Sequence, residues 1–424
     1  MSKQHHSSKR SIRQFWRTLG PGLITGASDD DPSAITTFSQ AGARYGVATL
    51  WMAILAYPIL AVLQEMCARI GIVTGKGLTD LVRSYYPKWV LYLLVGLSCP
   101  AFLLNIGADI ALFGETGHLL FHFAPPLYCS VVFTLLLFIL MLFLPYKKLM
   151  GFMKLLCLVL LVYLVVPFLT PQDPKLIIRH SLIPTFEMDK NFLLIVVGLT
   201  GAIISPYIFF WQISSEADTI AVEASIKKIN KISFLLMRKD ILAGALFAVL
   251  IMYYVILTTG TILHDQHINA IHTAQDAAIA LRPLAGPLSY ILFSIGIIGT
   301  GFLIIPILSS SISYIVTEAF NHKSGLNKSP EEVKLFYVII AIALCLGVSM
   351  HWLGISPVKA LLLTTILNGF ITPFLLFIIL HISNNKKIMG PFCNKRFSNL
   401  VGIVALCLML ASLVFLGSIV IFKR

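Results

Sequence analysis

Three consecutive aspartates, Asp29, Asp30 and Asp31, stand near the middle of the first long apolar stretch, between Thr25-Gly26-Ala27-Ser28 and Pro32. At that depth in lipid each aspartate costs about 2.5–3.5 kcal/mol on insertion scales, so all three need a compensating charge or water. Placing them in a loop at the membrane edge would leave Arg17–Ser28 too short to span at about 1.5 Å per residue. A second run, Thr200-Gly201-Ala202-Ile203-Ile204-Ser205-Pro206, repeats Thr-Gly-Ala followed by proline. A proline inside a span removes a backbone donor and clashes with the preceding turn, and nearby glycines make unwinding cheaper. Unwinding frees carbonyls, and the C-terminal end of each first half-helix carries partial negative charge, so both breaks suit a cation. Carbonyls with one or more carboxylates form a hard oxygen site that favours magnesium, calcium or manganese over copper or zinc. Neither break contains Met, Cys or His, and Ser33 and Ser205 add only hydroxyls.

Other polar residues fall inside apolar stretches. Asn105 and Asp109 are one helical turn apart, placed to line a polar path or to hold a neighbouring helix. Glu65 and Arg69 form an i,i+4 pair at the end of the second span, read as a structural ion pair or an inner gate. His118 and His122 share a helix face with no carboxylate beside them and read as wetted surface residues. Six cysteines (Cys67, Cys99, Cys129, Cys157, Cys345, Cys407) lie in apolar segments and Cys393 in a basic loop, without CxxC spacing. They read as small buried hydrophobes, not as a disulfide framework or a zinc site.

The elements that position these residues are membrane helices. With 57% hydrophobic and 12% charged residues in 424, the chain is too apolar for a soluble protein. Apolar runs predict eleven spans, at 17–43, 47–70, 90–117, 127–145, 150–170, 191–213, 237–261, 286–319, 334–352, 357–382 and 398–421. With residues 1–16 cytoplasmic, 24 of the 32 basic residues lie inside and seven outside, which predicts an inside N-terminus and an outside C-terminus. The net charge of +13 is scattered over short loops, so it points to topology and not to nucleic acid. The segment 215–232 alternates acidic, basic and apolar residues and reads as an amphipathic cytoplasmic helix. It lies between halves of five spans each, 17–170 and 191–382, with 398–421 added. Paired Gly/Pro interruptions five spans apart predict an all-α membrane protein built as a 5+5 inverted repeat, a LeuT-like architecture with discontinuous helices 1 and 6.

On these residues the chain resembles the Nramp superfamily of divalent metal transporters, and most resembles its Nramp-related magnesium transporter branch. The resemblance is carried by Gly20-Pro21-Gly22 leading into Asp31-Pro32, by Gln64-Glu65-Met66 through Arg69, Gly71 and Thr74-Gly75-Lys76-Gly77, by Asp109-Ile110-Ala111, and by Asn384 to Met389-Gly390. It implies that Asp31 and the Ala202 carbonyl contact the ion. The chain departs from the family pattern at Ala34 in place of asparagine, and at Ser205-Pro206-Tyr207 in place of Met-Pro-His. Leu112 replaces an acidic residue and Thr365 a glutamine. Loss of the sulfur ligand removes the preference for manganese and iron over hard alkaline-earth ions, and smaller side chains leave room for water that magnesium gives up reluctantly.

The expectation is therefore a monomeric secondary transporter of the plasma membrane, not an enzyme. It carries magnesium or manganese with weak or absent proton coupling and has no cofactor. Asp29, Asp30, Ser33, Ser205, Tyr207, Asn105, Asp109 and Thr365 are candidates for the site or its pathway. A sodium- or proton-coupled organic solute symporter is the alternative, disfavoured by three acidic residues where a substrate carboxylate would bind. An intramembrane aspartyl enzyme would need a Gly-x-Gly-Asp signature that the chain lacks.

Overall fold

The computed structural model describes residues 21–144, 146–169, 173–186, 189–223, 231–266, 271, 274–282, 286, 289–354 and 356–421, and among them every regular element is helical. The helices are α1 Pro21–Asp29, α2 Pro32–Tyr45, α3 Leu50–Thr74, α4 Leu78–Tyr85, α5 Lys88–Leu120, α6 Pro126–Phe143, α7 Tyr146–Cys157, α8 Val162–Val165 and α9 Pro174–Leu182. They continue as α10 Lys190–Ile203, α11 Pro206–Glu223, α12 Lys231–Ile262, α13 Ala274–Ile279, α14 Ser289–Ala319, α15 Lys334–Ser349, α16 Pro357–Asn384, α17 Lys386–Met389 and α18 Arg396–Ile421. Among the described residues nine helical stretches are long and apolar enough to cross a membrane. The first expected span is instead divided into α1 and α2, of 9 and 14 residues. The fifth alternates α-helix with 3-10 turns at Leu158–Leu161 and Val166–Leu169. The expected N-terminal segment 1–16 lies outside the described residues.

Two packing groups organise the helices. In one, α1, α2 and α3 lie along α12, and α11 lies along α3; in the other, α5, α6, α14 and α15 pack together. The first group is built on backbone contact. A Cβ on Gly26 would stand 2.2 Å from the Gly244 carbonyl oxygen, and one on Gly244 would stand 2.2 Å from that of Gly22, so α1 and α12 meet where neither carries a side chain. Helix α2 ends at Gly46, whose φ of +57° costs glycine nothing and most residues about a kcal/mol or more. At the last residue of α2, the Tyr45 hydroxyl donates to Asp189 at 3.0 Å and holds that carboxyl below its ordinary range, tying the end of α2 to the start of α10. Helix α16 packs on both groups, touching α5, α2 and α10. Leu135 on α6, Ile342 on α15 and Ile403 on α18 are exposed and face lipid, while Tyr85, Trp89 and Tyr92 are exposed around the start of α5, as an interfacial aromatic belt requires.

Two expectations are corrected here. The segment 215–232 is not a separate amphipathic helix from its start: residues 215–223 continue α11, and 224–230 lie outside the described residues. Ser214 donates to Glu318 at 3.0 Å and Tyr314 to Asp218 at 2.6 Å, so the start of this stretch is held against α14. The cysteines are not uniformly buried, since Cys345 and Cys407 are exposed among the apolar side chains of α15 and α18.

Candidate functional site

Each break is two residues wide and is closed by a proline. Asp30 and Asp31 separate α1 from α2, and Ile204 and Ser205 separate α10 from α11. Proline has no N–H, so the carbonyl four residues before it loses its helical partner. For Pro32 that carbonyl belongs to Ser28, and for Pro206 to Ala202. A buried carbonyl left without a donor is costly, and side-chain hydroxyls take up both, one from across the gap and one from the same break. The Tyr207 hydroxyl lies 3.0 Å from the Ser28 oxygen, and the Ser205 hydroxyl 3.2 Å from that of Ala202. A third carbonyl, that of Ile204, accepts from Thr372 on α16 at 3.0 Å.

Asp31 is the N-cap of α2, with extended backbone (φ −69°, ψ 168°), and Pro32 occupies the first helical position, the pairing that starts helices well. Its Oδ1 accepts from the Ala34 N–H at 2.7 Å and from the Ser33 hydroxyl at 2.5 Å. Its Oδ2 accepts from Tyr207 at 3.1 Å. One tyrosine beside the second break thus touches a carbonyl and a carboxylate of the first.

Asp29, Asp30, Asp31 and Asp109 are each at most 3% exposed, and among the described residues none takes part in an ion pair. Among the described residues, Oδ1 of Asp29, Oδ2 of Asp30, both oxygens of Asp109 and both amide atoms of Asn105 have no hydrogen-bond partner. Burying so many acidic oxygens without donors is expensive, which is the pattern of a site that trades stability for binding. Among the described residues no three His, Cys, Asp or Glu side chains converge as a ready-made metal cage. The donors on offer are main-chain oxygens around a single well-held carboxylate.

The structure thus gathers Asp29, Asp30, Asp31, Ser33, Ala202, Ser205 and Tyr207 at the two breaks, with Asn105 and Asp109 buried one turn apart on α5. Thr365 stands at the edge, its hydroxyl 3.5 Å from that of Thr37 on α2. Glu65 and Arg69 lie elsewhere and are partnered separately: Arg238 of α12 approaches Glu65 at 3.6 Å, and Arg69 donates to Asn394 in the loop before α18. Each side chain reaches a different neighbouring element, which is why the i,i+4 spacing does not become a direct contact. Sequence reasoning missed Ser28, Thr372 and Asn368. Counting four residues back from Pro32 would have found Ser28. Thr365, Asn368 and Thr372 recur at helical spacing as a buried polar stripe on α16, itself a signal in an apolar span.

The sequence pattern of the family described as "Nramp: Natural resistance-associated macrophage protein-like" matches residues 22–417. A divalent metal cation transporter MntH of Verminephrobacter eiseniae (strain EF01-2) is 27% identical over 416 residues, covering 95% of this chain and 89% of the relative. The manganese transporter of Eremococcus coleocola, solved with an aromatic bis-isothiourea substituted compound, shares the fold with a TM-score of 0.72 at 18% identity, over 96% of this chain and 87% of that one. Mhp1, a nucleobase-cation-symport-1 family transporter in a closed conformation with bromovinylhydantoin bound, aligns with a TM-score of 0.59 at 12% identity, over 95% and 92%.

Proposed function

Because the chain belongs to the Natural resistance-associated macrophage protein-like (Nramp) family, matched over residues 22–417, we propose that it carries magnesium and manganese across the plasma membrane through the paired breaks at Asp30–Asp31 and Ile204–Ser205. It is a transporter of divalent metal cations and not an enzyme. The family membership disfavours the organic solute symporter, which shares only the fold. In our reading the chain works as a monomer with its N-terminus in the cytoplasm, and Asp31 and the Ala202 carbonyl hold the ion.

The observation that carries this reading is the meeting of the two breaks: Tyr207, next to the second, reaches both Ser28 and Asp31 of the first. Orphaned carbonyls and one carboxylate make a small, hard, oxygen-lined site with no sulfur, which suits an ion that keeps part of its water. Asn105 and Asp109 continue the polar lining on α5. No histidine lies in either break, and Leu112 stands where a second acidic residue of α5 would, which supports uptake driven by the ion gradient and the membrane potential alone. The potential contributes about 2.3 kcal/mol per elementary charge per 100 mV.

Purified protein in liposomes is expected to admit magnesium and manganese, and Asp31→Ala to abolish the uptake without loss of folded protein. Uptake that survives Asp31→Ala removes the site from this position. Acidification of the lumen in step with metal entry would replace the uncoupled mechanism with a proton-coupled one.

A further inference from the structure

We infer that the Tyr207 hydroxyl oxygen is itself a ligand of the transported cation and sets the size of ion the site accepts. The inference rests on the reading of Asp31 as the ion's carboxylate.

Three oxygens meet here. Tyr207 Oη is 3.0 Å from the Ser28 carbonyl oxygen and 3.1 Å from Asp31 Oδ2. A hydroxyl has one proton and cannot donate fully to both acceptors, so the proton lies in the space the three oxygens share. Oδ1 of Asp31 is already committed to Ser33 and Ala34, which leaves Oδ2, the atom facing Tyr207, for a cation. The Ser28 carbonyl has no helical partner because of Pro32.

The tyrosine cannot withdraw to make room. Its side chain is fully buried, its ring meets Phe102 of α5 edge-on at 6.1 Å between centroids, and its carbonyl accepts from Ser311 of α14 at 3.3 Å. What can move is the hydroxyl proton, by rotation about the C–O bond. Turned away, it leaves a lone pair directed where the proton had been. Adjacent ligands in an octahedron with metal–oxygen distances of 2.0–2.1 Å are about 2.8–3.0 Å apart, whereas the 2.3–2.6 Å bonds of calcium need about 3.3–3.7 Å. Two of the edges are already near the shorter value, so magnesium replaces the proton with little rearrangement. Manganese, also held by oxygen ligands, is expected to fit likewise. Calcium must push a buried, clamped ring aside. The hydroxyl thus serves as an oxygen donor in the position where the family pattern has histidine.

The test uses full-length protein in detergent and in liposomes, with Tyr207→Phe beside Asp31→Ala and magnesium, manganese and calcium as probes. Losing one ligand weakens magnesium and manganese binding at least about tenfold, the order seen when a metal site's supporting contacts are removed. Calcium, no longer held off by the third oxygen, loses less, so the magnesium-to-calcium ratio falls. The rise in melting temperature on saturation with magnesium also shrinks in Tyr207→Phe, because ion binding to the native state is what that rise measures. A purely structural tyrosine would lower the melting temperature equally with and without the ion, and that result overturns the inference. Unchanged or tighter magnesium binding in Tyr207→Phe overturns it too, since the hydroxyl would then be a bystander or a competitor. If Asp31→Ala still binds and transports, the underlying reading has failed, whatever Tyr207→Phe does.

Discussion

The carboxylate of Asp240, on α12, accepts the backbone N–H of Gly22 at 2.8 Å and lies 3.2 Å from that of Leu23, capping the first turn of α1 from 218 residues away in sequence. The first N–H groups of a helix have no partner within it, and the helix dipole places partial positive charge there. A buried acid on a neighbouring helix answers both needs and pins the start of the first half-helix to α12. Asp240→Ala is expected to cost about 1–2 kcal/mol, the upper part of the range for lost caps, and Asp240→Asn less because an acceptor remains. Thermal melting of the purified protein measures both. An unchanged melting temperature in Asp240→Ala would show that the cap does not hold α1.

The contact between α1 and α12 leaves no space for a methyl group at Gly26. The added carbon would face main-chain atoms of Gly244, which cannot rotate aside as a flexible side chain could. Gly26→Ala is expected to cost about 3 kcal/mol, the upper end for an overpacked core, and to reduce the yield of monodisperse protein. Gly96 on α5 is exposed with nothing near its missing Cβ. Alanine there gains about 0.5–1 kcal/mol by restricting the unfolded chain in a helix interior. Size-exclusion profiles and melting curves of the two variants side by side decide the matter, and equal behaviour would contradict the close approach.

How far the fold and site were legible follows from which forces act locally. Pro32 and Pro206 mark the breaks because a missing N–H is a property of the residue itself. Yet Pro58, Pro100, Pro306 and Pro373 stay inside continuous helices, so the Thr-Gly-Ala run before each break is the other half of the signal. The apolar runs mark the helices because a span in lipid must pair its own backbone groups. The N-cap at Asp31 is equally local. What Tyr207 does is not local: its reach to Ser28 crosses 179 positions and depends on how α11 is set against α5 and α14. Glu65 and Arg69 look like a pair by spacing, yet Arg238 on α12 and Asn394 in the loop before α18 compete for them from places that no local rule brings nearby. Asp218 misled for the same reason, since the hydroxyl that holds it, that of Tyr314, arrives from α14.

Thr372 tests whether the second break is tuned by the α16 stripe. Its hydroxyl lies 3.0 Å from the Ile204 carbonyl and 2.6 Å from that of Asn368, so its one proton chooses between the break and its own helix. Thr372→Val keeps the shape and removes the proton, leaving the Ile204 carbonyl uncovered at a cost of about 1–3 kcal/mol. Metal uptake is expected to slow in Thr372→Val and to recover in Thr372→Ser, which keeps the hydroxyl. Equal rates in all three proteins would reduce Thr372 to packing.

Asp109 separates stability from transport. It is fully buried, and among the described residues both its oxygens lack a hydrogen-bond partner and it belongs to no ion pair. Asparagine has nearly the same shape and carries no charge to desolvate, so Asp109→Asn removes a burden on the folded state. If Asp109 lines the ion's route through the protein, the same change lowers the attraction for a divalent cation along α5. The expected outcome is a higher melting temperature without metal together with slower manganese uptake, the exchange of stability for function that active sites show. A lower melting temperature would mean that Asp109 is satisfied by contacts that hold the helices together. Uptake at the wild-type rate would take it off the route.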